Sequence, residues 1–550
     1  MSAIQGLMQD RPLLVSTLID HAVAAHASVE IVSRVADGEP LRRYTYADVG
    51  CRAKQLASAL TAIGVRPGDR IATLAWNDHR HLELYYAVSG IGAVLHTVNP
   101  RLDPQQIEYI MQHAEDAYLF FDVSLLPLVE ALAPRLRGVK GFIAMVVREK
   151  LPSTTLRNVI CYEALLGEHA SVFDWPVFEE TVACSLCYTS GTTGAPKGVL
   201  YSHRSALLHS YAVCTADGFA LSSADAALVV VPLFHVNAWG IPYAAAMCGA
   251  KLVLPGQRLD GASLYDLMRC EGVTIALGVP TVWTNLFGYV EREGLDPSKD
   301  LRLERVVIGG AAAPVGMIET FENKWGVQVL HAWGMTETSP LGTVCRLLPK
   351  HAARSSEQRL ALKAKQGRPV YGVELRIVDE DGRVAPRDGT TFGYLKVRGP
   401  WIASSYFKGG RADAVDVDGF FDTGDIATID PDGYMQITDR AKDLIKSGGE
   451  WISSTALEAA ALNHPAIAEA AAIAMAHPKW QERPLLVVVT KTGQTLERDE
   501  LLAFLAARFP KWWVPDDVVC IEAMPRGATG KLLKSALRER FGCQQPAENC

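Results

Sequence analysis

Apolar runs and amphipathic stretches alternate along most of the chain. The runs at 70–75, 227–231, 251–254 and 305–308 are short and nearly unbroken, the pattern of buried strands. Between them, 46–63, 81–93 and 264–271 space their apolar residues for helices. Such alternation predicts parallel sheets covered by helices, an α/β fold. From 373 to 397 the period drops to two, with Asp381-Gly382 and Asp388-Gly389 as turns, which predicts a small antiparallel β region. After a turn-rich β stretch at 430–438, a boundary is expected near 439–442. Beyond it come Ser447-Gly448-Gly449, a helix from about 454 and a compact β/α pattern running to 542. The expectation is a large N-terminal domain, 1–439, of helix-covered sheets plus the small β region, then a small α+β C-terminal domain, 440–550.

Composition narrows the function classes. With 49% hydrophobic and 21% charged residues, the 550-residue chain has ample core for more than one domain. Its formal net charge is −7 and no basic stripe stands out, so no nucleic-acid partner is expected. A few lysines in a cleft would still suffice for a small anionic substrate. The eleven cysteines lack disulfide spacing, which suits a reducing cytoplasm. Cys184 and Cys187 form a C-x-x-C, a spacing used for metal or redox pairs. They fall in the apolar run 182–188, however, where residues three apart on a strand point to opposite faces, so packing is the preferred reading. Residues 1–25 carry Asp10, Arg11 and Asp20 and have no basic segment leading into a long apolar core, so no signal peptide is expected. No uninterrupted apolar stretch reaches about 18 residues, so no integral membrane segment is expected either.

The segment Tyr188-Thr-Ser-Gly-Thr-Thr-Gly-Ala-Pro-Lys-Gly198 packs three glycines, three threonines and a serine behind a strand. Glycines let backbone N–H groups crowd an anion, hydroxyls add donors and Lys197 adds positive charge, a phosphate-cradling composition. Pro196 stands where a Walker loop requires glycine before the lysine, so this is not that motif. A plain surface turn would leave so many donors behind a buried strand unexplained.

This loop resembles the signature of the adenylate-forming superfamily, which includes acyl-CoA synthetases, firefly-type luciferases and the adenylation domains of peptide synthetases. From about 40 to 540, further motifs follow in that family's order. They are Val231-Pro-Leu-Phe-His235, Gly309-Gly-Ala-Ala-Ala-Pro314, Trp333-Gly-Met-Thr-Glu-Thr338 and Phe421-Asp-Thr-Gly-Asp425. Asp439-Arg-Ala-Lys-Asp-Leu-Ile-Lys-Ser-Gly-Gly-Glu-Trp451 and Pro525-Arg-Gly-Ala-Thr-Gly-Lys531 complete the series.

The resemblance implies ATP, Mg²⁺ and coenzyme A as cofactor and co-substrates, and a mobile C-terminal domain. It implies a nucleotide site built from Thr189, Ser190, Gly191, Thr192, Thr193, Gly194 and Lys197, from Gly310 and Ala311, and from His331, Ala332, Trp333, Gly334 and Thr336. Trp333 offers a flat face for a purine and Thr336 a donor for the α-phosphate. Many family members carry Tyr at this Trp position; stacking survives the change, while a hydroxyl contact does not. Glu337 supplies an oxygen-only carboxylate suited to Mg²⁺, with Thr189 implied as its companion. Asp425 can accept from both ribose hydroxyls, although a turn aspartate would look the same. Arg440 reads as a ribose or phosphate contact, or equally as a salt bridge at a domain boundary. Lys531 is implied as the catalytic lysine that offsets the repulsion between an attacking carboxylate and a polyphosphate. Lys442 is implied as the hinge, and Lys446, Gly448, Gly449 and Trp451 as the path of the CoA arm.

His235, Trp239, Val279 and Gly310 are implied for the acyl site, with His235 beside the reacting carboxylate and Trp239 as a gate; hydrophobic core is the competing reading for Trp239. The run Lys446-Ser-Gly-Gly-Glu-Trp-Ile-Ser-Ser454 resembles fatty-acyl-CoA ligases more than the other branches. The expected partners are therefore a small carboxylic acid, ATP and CoA, with a homodimer left open. The expected reaction is acyl-CoA formation from a short- or medium-chain fatty acid or 3-methylmercaptopropionate. A ligase loading a carrier protein and a luciferase-like oxygenase stand as alternatives.

Overall fold

The computed structural model describes residues 4, 6–35, 39–189, 195–409, 414–448, 450–526 and 532–542. Contacts divide the chain into two units, the first made of 1–189, 196–374 and 398–421, the second chiefly of 375–397 and 422–550.

The first unit holds two large sheets among the described residues. The seven-stranded one runs Val159–Cys161, Gly141–Ala144, Asp116–Phe121, Arg70–Leu74, Val94–Thr97, Ala183–Tyr188, Gly198–Ser202. Every pairing in it is parallel except the last. In the nine-stranded one, a parallel block formed by Gln328–Gly334, Arg305–Ile308, Ile275–Gly278, Ala226–Val229, Lys251–Leu254 and Glu30–Ser33 is flanked by antiparallel strands at both ends. The unbroken apolar runs are these strands: Val306, Val307 and Ile308 are wholly buried, as are Leu228, Val229, Ala276 and Leu277.

The helices also fall where the spacing puts them, at Tyr46–Ala62, His79–Gly90 and Gly261–Glu271. The second starts before the apolar spacing suggests, because Asp78 caps it by accepting from the His81 N–H at 2.9 Å. Every residue of that helix is buried, polar ones included. Tyr85 and Tyr86 use their hydroxyls to hold the carbonyls of Leu233 and Pro242, which bracket the expected acyl segment.

The second unit contains a four-stranded sheet ordered Glu374–Val378, Gly393–Arg398, Phe421–Ile429, Met435–Arg440, realising the period-two pattern. A second sheet follows, from Ile445–Ser447, Glu450–Ile452, Gln481–Thr490, Ile467–His477 and Asp517–Cys520. Helices Ser454–Ala461 and Arg498–Ala506 bury Leu457, Leu501 and Leu505 on one face of this sheet, and Lys534–Phe541 buries Leu537 and Phe541 on the other. Position 439/440 lies inside this unit, where Asp439 accepts from the backbone N–H (2.6 Å) and hydroxyl (3.0 Å) of Ser454 and ties the first sheet to the first helix. The chain is thus a mixed α/β protein, a large N-terminal body of sheets and helices followed by a smaller C-terminal domain. No helix among the described residues is long and apolar enough to cross a membrane.

Candidate active site

Four neighbouring parallel strands, Ala226–Val229, Ile275–Gly278, Arg305–Ile308 and Gln328–Gly334, share one C-terminal edge. Ligands of open α/β sheets bind beyond that edge, where the connections diverge. His235 follows the first strand, Val279 the second, Gly310 and Ala311 the third, while His331, Ala332, Trp333 and Gly334 finish the fourth. A Cβ built on Gly310 would stand 3.1 Å from Cγ1 of Val279, and one on Gly309 would stand 3.1 Å from Cη2 of Trp239 and 3.2 Å from the Ala332 carbonyl. Trp239 and Val279, two of the expected acyl residues, therefore flank the Gly309-Gly310 backbone, with the indole seated where that backbone carries no side chain. His235 precedes the turn 236–239, its carbonyl accepting from the Ala238 N–H at 3.1 Å, and is half-buried.

The strand Gln328–Gly334, expected to meet the nucleotide, is held from several sides. Trp333 is buried and lies over Gly342, where a Cβ would approach its Cζ3 to 2.5 Å. His331 accepts from the Ala313 N–H at 3.2 Å and donates through Nδ1 to the Lys363 carbonyl at 3.4 Å, so its ring orients the loop 309–314. The Thr336 carbonyl accepts from the Tyr201 hydroxyl at 2.7 Å. Glu337 is buried; its backbone carbonyl accepts from the Ala403 N–H at 2.8 Å and its Oε1 from the Tyr406 hydroxyl at 2.6 Å. Lys197 Nζ stands 5.0 Å from the Tyr406 ring centroid, a cation–π approach. Tyr406 therefore joins the loop lysine to the buried carboxylate. Nothing in its sequence neighbourhood, Trp401-Ile-Ala-Ser-Ser-Tyr406, marks it, because the contact spans sixty-nine residues.

The two sides of the phosphate-cradling loop are pinned where they are described: the Thr189 N–H donates to the Lys197 carbonyl at 2.9 Å, and the flanking strands pair antiparallel. Ser190, Gly191, Thr192, Thr193 and Gly194 lie outside the described residues, as do Gly449 and Lys531. Cys184 and Cys187 sit buried on the strand Ala183–Tyr188 as free thiols, and burial pushes Cys187 up to about 11.

In the second unit Asp425 and Arg440 face each other across paired strands, with Arg440 Nε 2.9 Å from Asp425 Oδ1; the carboxylate is buried and the guanidinium half-exposed. Lys442 lies in the turn after that strand, its pKa lowered chiefly by burial. Lys446 donates to Glu380 at 2.6 Å and stands 5.8 Å from the ring of Trp451, which packs edge-on to Tyr394. Gly448 turns the hairpin between them at φ +62°, and its N–H donates to the Trp480 carbonyl at 2.8 Å. A Cβ on Gly448 would meet the Trp480 ring at 2.8 Å, so close approach as well as conformation requires glycine.

Five buried histidines among the described residues give a pH dependence, and burial holds His79 well below its ordinary value. Burial lowers His81, His203 and His331 to about 4 and His209 to about 3. In the unfolded chain they titrate near 6.5. Below that pH the unfolded state binds more protons than the native one, so stability falls as pH drops through 6.5 towards 4. Melting temperature should decline steadily from pH 7 to pH 5; a flat profile would contradict the burial argument.

Comparison with known proteins identifies the family. The sequence profile of the family described as AMP-binding enzyme matches residues 19–407, and that of the AMP-binding enzyme C-terminal domain matches 456–531. The chain is 52% identical to a 3-methylmercaptopropionyl-CoA ligase of Ruegeria lacuscaerulensis over 98% of both chains. It is 49% identical to a medium-chain-fatty-acid–CoA ligase of Ectopseudomonas oleovorans, over 98% of this chain and 97% of that one. Its fold matches the crystal structure of an anthranilate CoA ligase in complex with anthranoyl-AMP, with TM-score 0.82 at 22% identity, over 97% of this chain and 99% of that one. The chain belongs to the AMP-binding enzyme family, the adenylate-forming enzymes, and stands among its acyl-CoA ligases.

Proposed function

We propose that the chain joins a medium-chain fatty acid or 3-methylmercaptopropionate to CoA through an acyl-adenylate. The observation that carries this is the convergence of an apolar wall (Trp239, Val279, Gly310) with Trp333, Thr336 and Glu337 at one sheet edge. In the first half-reaction the acid's carboxylate attacks the α-phosphorus of ATP and pyrophosphate leaves; in the second, the CoA thiol attacks the acyl carbonyl and AMP leaves. His235 borders the reacting carboxylate, Trp333 stacks the purine, Lys197 and the Thr189–Gly194 loop cradle phosphate, and Asp425 with Arg440 holds the ribose. Lys531 neutralises charge on the attacking and α-phosphate oxygens. Lys446, Gly448, Gly449 and Trp451 guide the CoA arm after the C-terminal domain turns about Lys442. Among the described residues no three His, Cys, Asp or Glu side chains gather as a metal site. Mg²⁺ arriving with ATP needs few protein ligands, because phosphates and water supply the rest, and the hard oxygens of Glu337 and Thr189 fit it. Such an ion supplies charge neutralisation at the phosphates. The described cysteines are free thiols, in keeping with a cytoplasmic enzyme, and a homodimer is compatible with this reading.

The deciding experiment is a panel of acids from acetate to palmitate, with branched, aromatic and thioether members, scored by CoA-dependent AMP release. Turnover stimulated only by a phosphopantetheinylated carrier protein, and not by CoA, would overturn the reading. Trp239→Ala should shift preference towards longer or bulkier acids, each extra methylene contributing about 0.8 kcal/mol at most. An unchanged chain-length profile would make Trp239 core rather than pocket. Tyr406→Phe removes a charge-assisted hydrogen bond to Glu337, typically about 1.5–3 kcal/mol. Adenylation should slow and need more Mg²⁺; full activity at the parent's Mg²⁺ level would exclude Tyr406 as support for Glu337.

A further inference from the structure

Residues 236–239 form a turn of left-handed helix. φ is +48° at Val236, +50° at Asn237, +48° at Ala238 and +55° at Trp239, and Gly240 follows at +73°. ψ is 43° at both Asn237 and Ala238. Left-handed helix costs an L-residue about 1–2 kcal/mol, because Cβ crowds the next carbonyl, and it ordinarily occurs one residue at a time. Valine and tryptophan are poor choices for it. Several such residues in a row persist only where the surroundings over-determine them.

The surroundings do so through the side chain of Asn237 and the ring of His209. Asparagine is the residue type in this turn that tolerates the region, and Asn237 is buried. Its Nδ2 donates to Ser185 Oγ at 2.7 Å, and its Oδ1 accepts from Cys187 Sγ at 3.3 Å. Ser185 and Cys187 are both buried and lie two apart on the strand Ala183–Tyr188, hence on one face. The middle of the turn is therefore clamped to the strand that enters the phosphate-cradling loop. At the far end, the His209 ring occupies the space a Gly240 Cβ would need, with Nδ1 at 2.6 Å. His209 Nε2 accepts from the Leu341 N–H at 3.2 Å, beside the nucleotide strand. What the clamp aims is the indole of Trp239, seated on Gly309. A right-handed turn would redirect the Cα–Cβ bond of Trp239 and withdraw the ring.

We propose that Asn237 is a positioning residue for acid selection: clamped between Ser185 and Cys187, it holds the left-handed turn that sets the indole of Trp239 in the acyl wall. This rests on reading Trp239 as pocket wall.

The test compares Asn237→Ala, Asn237→Gly, Trp239→Ala and the double variant Asn237→Ala/Trp239→Ala on the acid panel. KM for ATP, KM for acid and melting temperature are measured in parallel. Asn237→Ala should raise KM for the parent's preferred acid about tenfold, the equivalent of about 1.4 kcal/mol, move the optimum towards longer acids and leave KM for ATP unchanged. Glycine accepts positive φ, so Asn237→Gly should give a smaller shift in the same direction. In the Trp239→Ala background, Asn237→Ala should change the profile no further, because the ring it aims is gone. An unshifted profile in a folded Asn237→Ala, equal KM rises for acid and ATP, or additive effects in the double variant would overturn the proposal. Should the alanine variant not fold, Ser185→Ala cuts the clamp from outside the turn and carries the same expectation and the same refutation. A parent inert towards every acid is a separate result, which removes the acyl-CoA ligase reading itself.

Discussion

Glu337→Gln should remove acid-dependent ATP–pyrophosphate exchange by about 10²–10³-fold, the scale seen when a preorganised charge-stabilising group is lost. Glutamine keeps the volume and an oxygen that can accept from Tyr406, so the buried hydrogen bond survives while the charge is lost. Melting temperature should then stay near the parent's. Glu337→Ala also removes the buried side-chain volume and the acceptor of the Tyr406 hydrogen bond, and should lose stability together with activity. The pair separates charge from packing: both variants lose exchange and only alanine loses stability. Exchange at the parent's rate in the glutamine variant, across an Mg²⁺ titration, would remove Glu337 from the catalytic set.

Lys442→Pro should leave acyl-AMP formation in place and make its conversion to acyl-CoA severely slow. Residues 441–443 form the turn between the strands Met435–Arg440 and Ile445–Ser447, with the Ala441 N–H on the Gly424 carbonyl at 3.0 Å and the Asp443 N–H on Arg440 at 2.9 Å. On the proposed rotation of the segment after Lys442 between half-reactions, a residue of this turn would absorb the change in φ and ψ. Proline fixes φ near −65° and removes the N–H. Because the Lys442 ammonium stands among the charges of Asp443, Arg440, Arg538 and Lys534, its charge has an effect of its own, and Lys442→Ala is the control. Supplying preformed acyl-AMP and CoA isolates the second step. If the proline variant completes that step as fast as the alanine variant, the hinge lies elsewhere.

The order of elements was readable in the sequence because parallel strands buried on both faces have no polar side to hide: 305–308 and 251–254 coincide with the strands Arg305–Ile308 and Lys251–Leu254. The family was readable where short segments carry its motifs, as in Trp333-Gly-Met-Thr-Glu337 and the loop from Tyr188 to Gly198. Tertiary structure decided what depends on contacts between distant segments. It gave Glu337 its partner in Tyr406, seated Trp239 on Gly309, and grouped the sheet of 375–397 with the strands after Asp422. It also decided the hand of the turn at 236–239. Local propensity favours a right-handed turn for Val, Ala and Trp, by about 1–2 kcal/mol per residue, and contacts from distant segments, the clamp of Asn237 on a strand some fifty residues earlier and the His209 ring beyond it, oppose that preference.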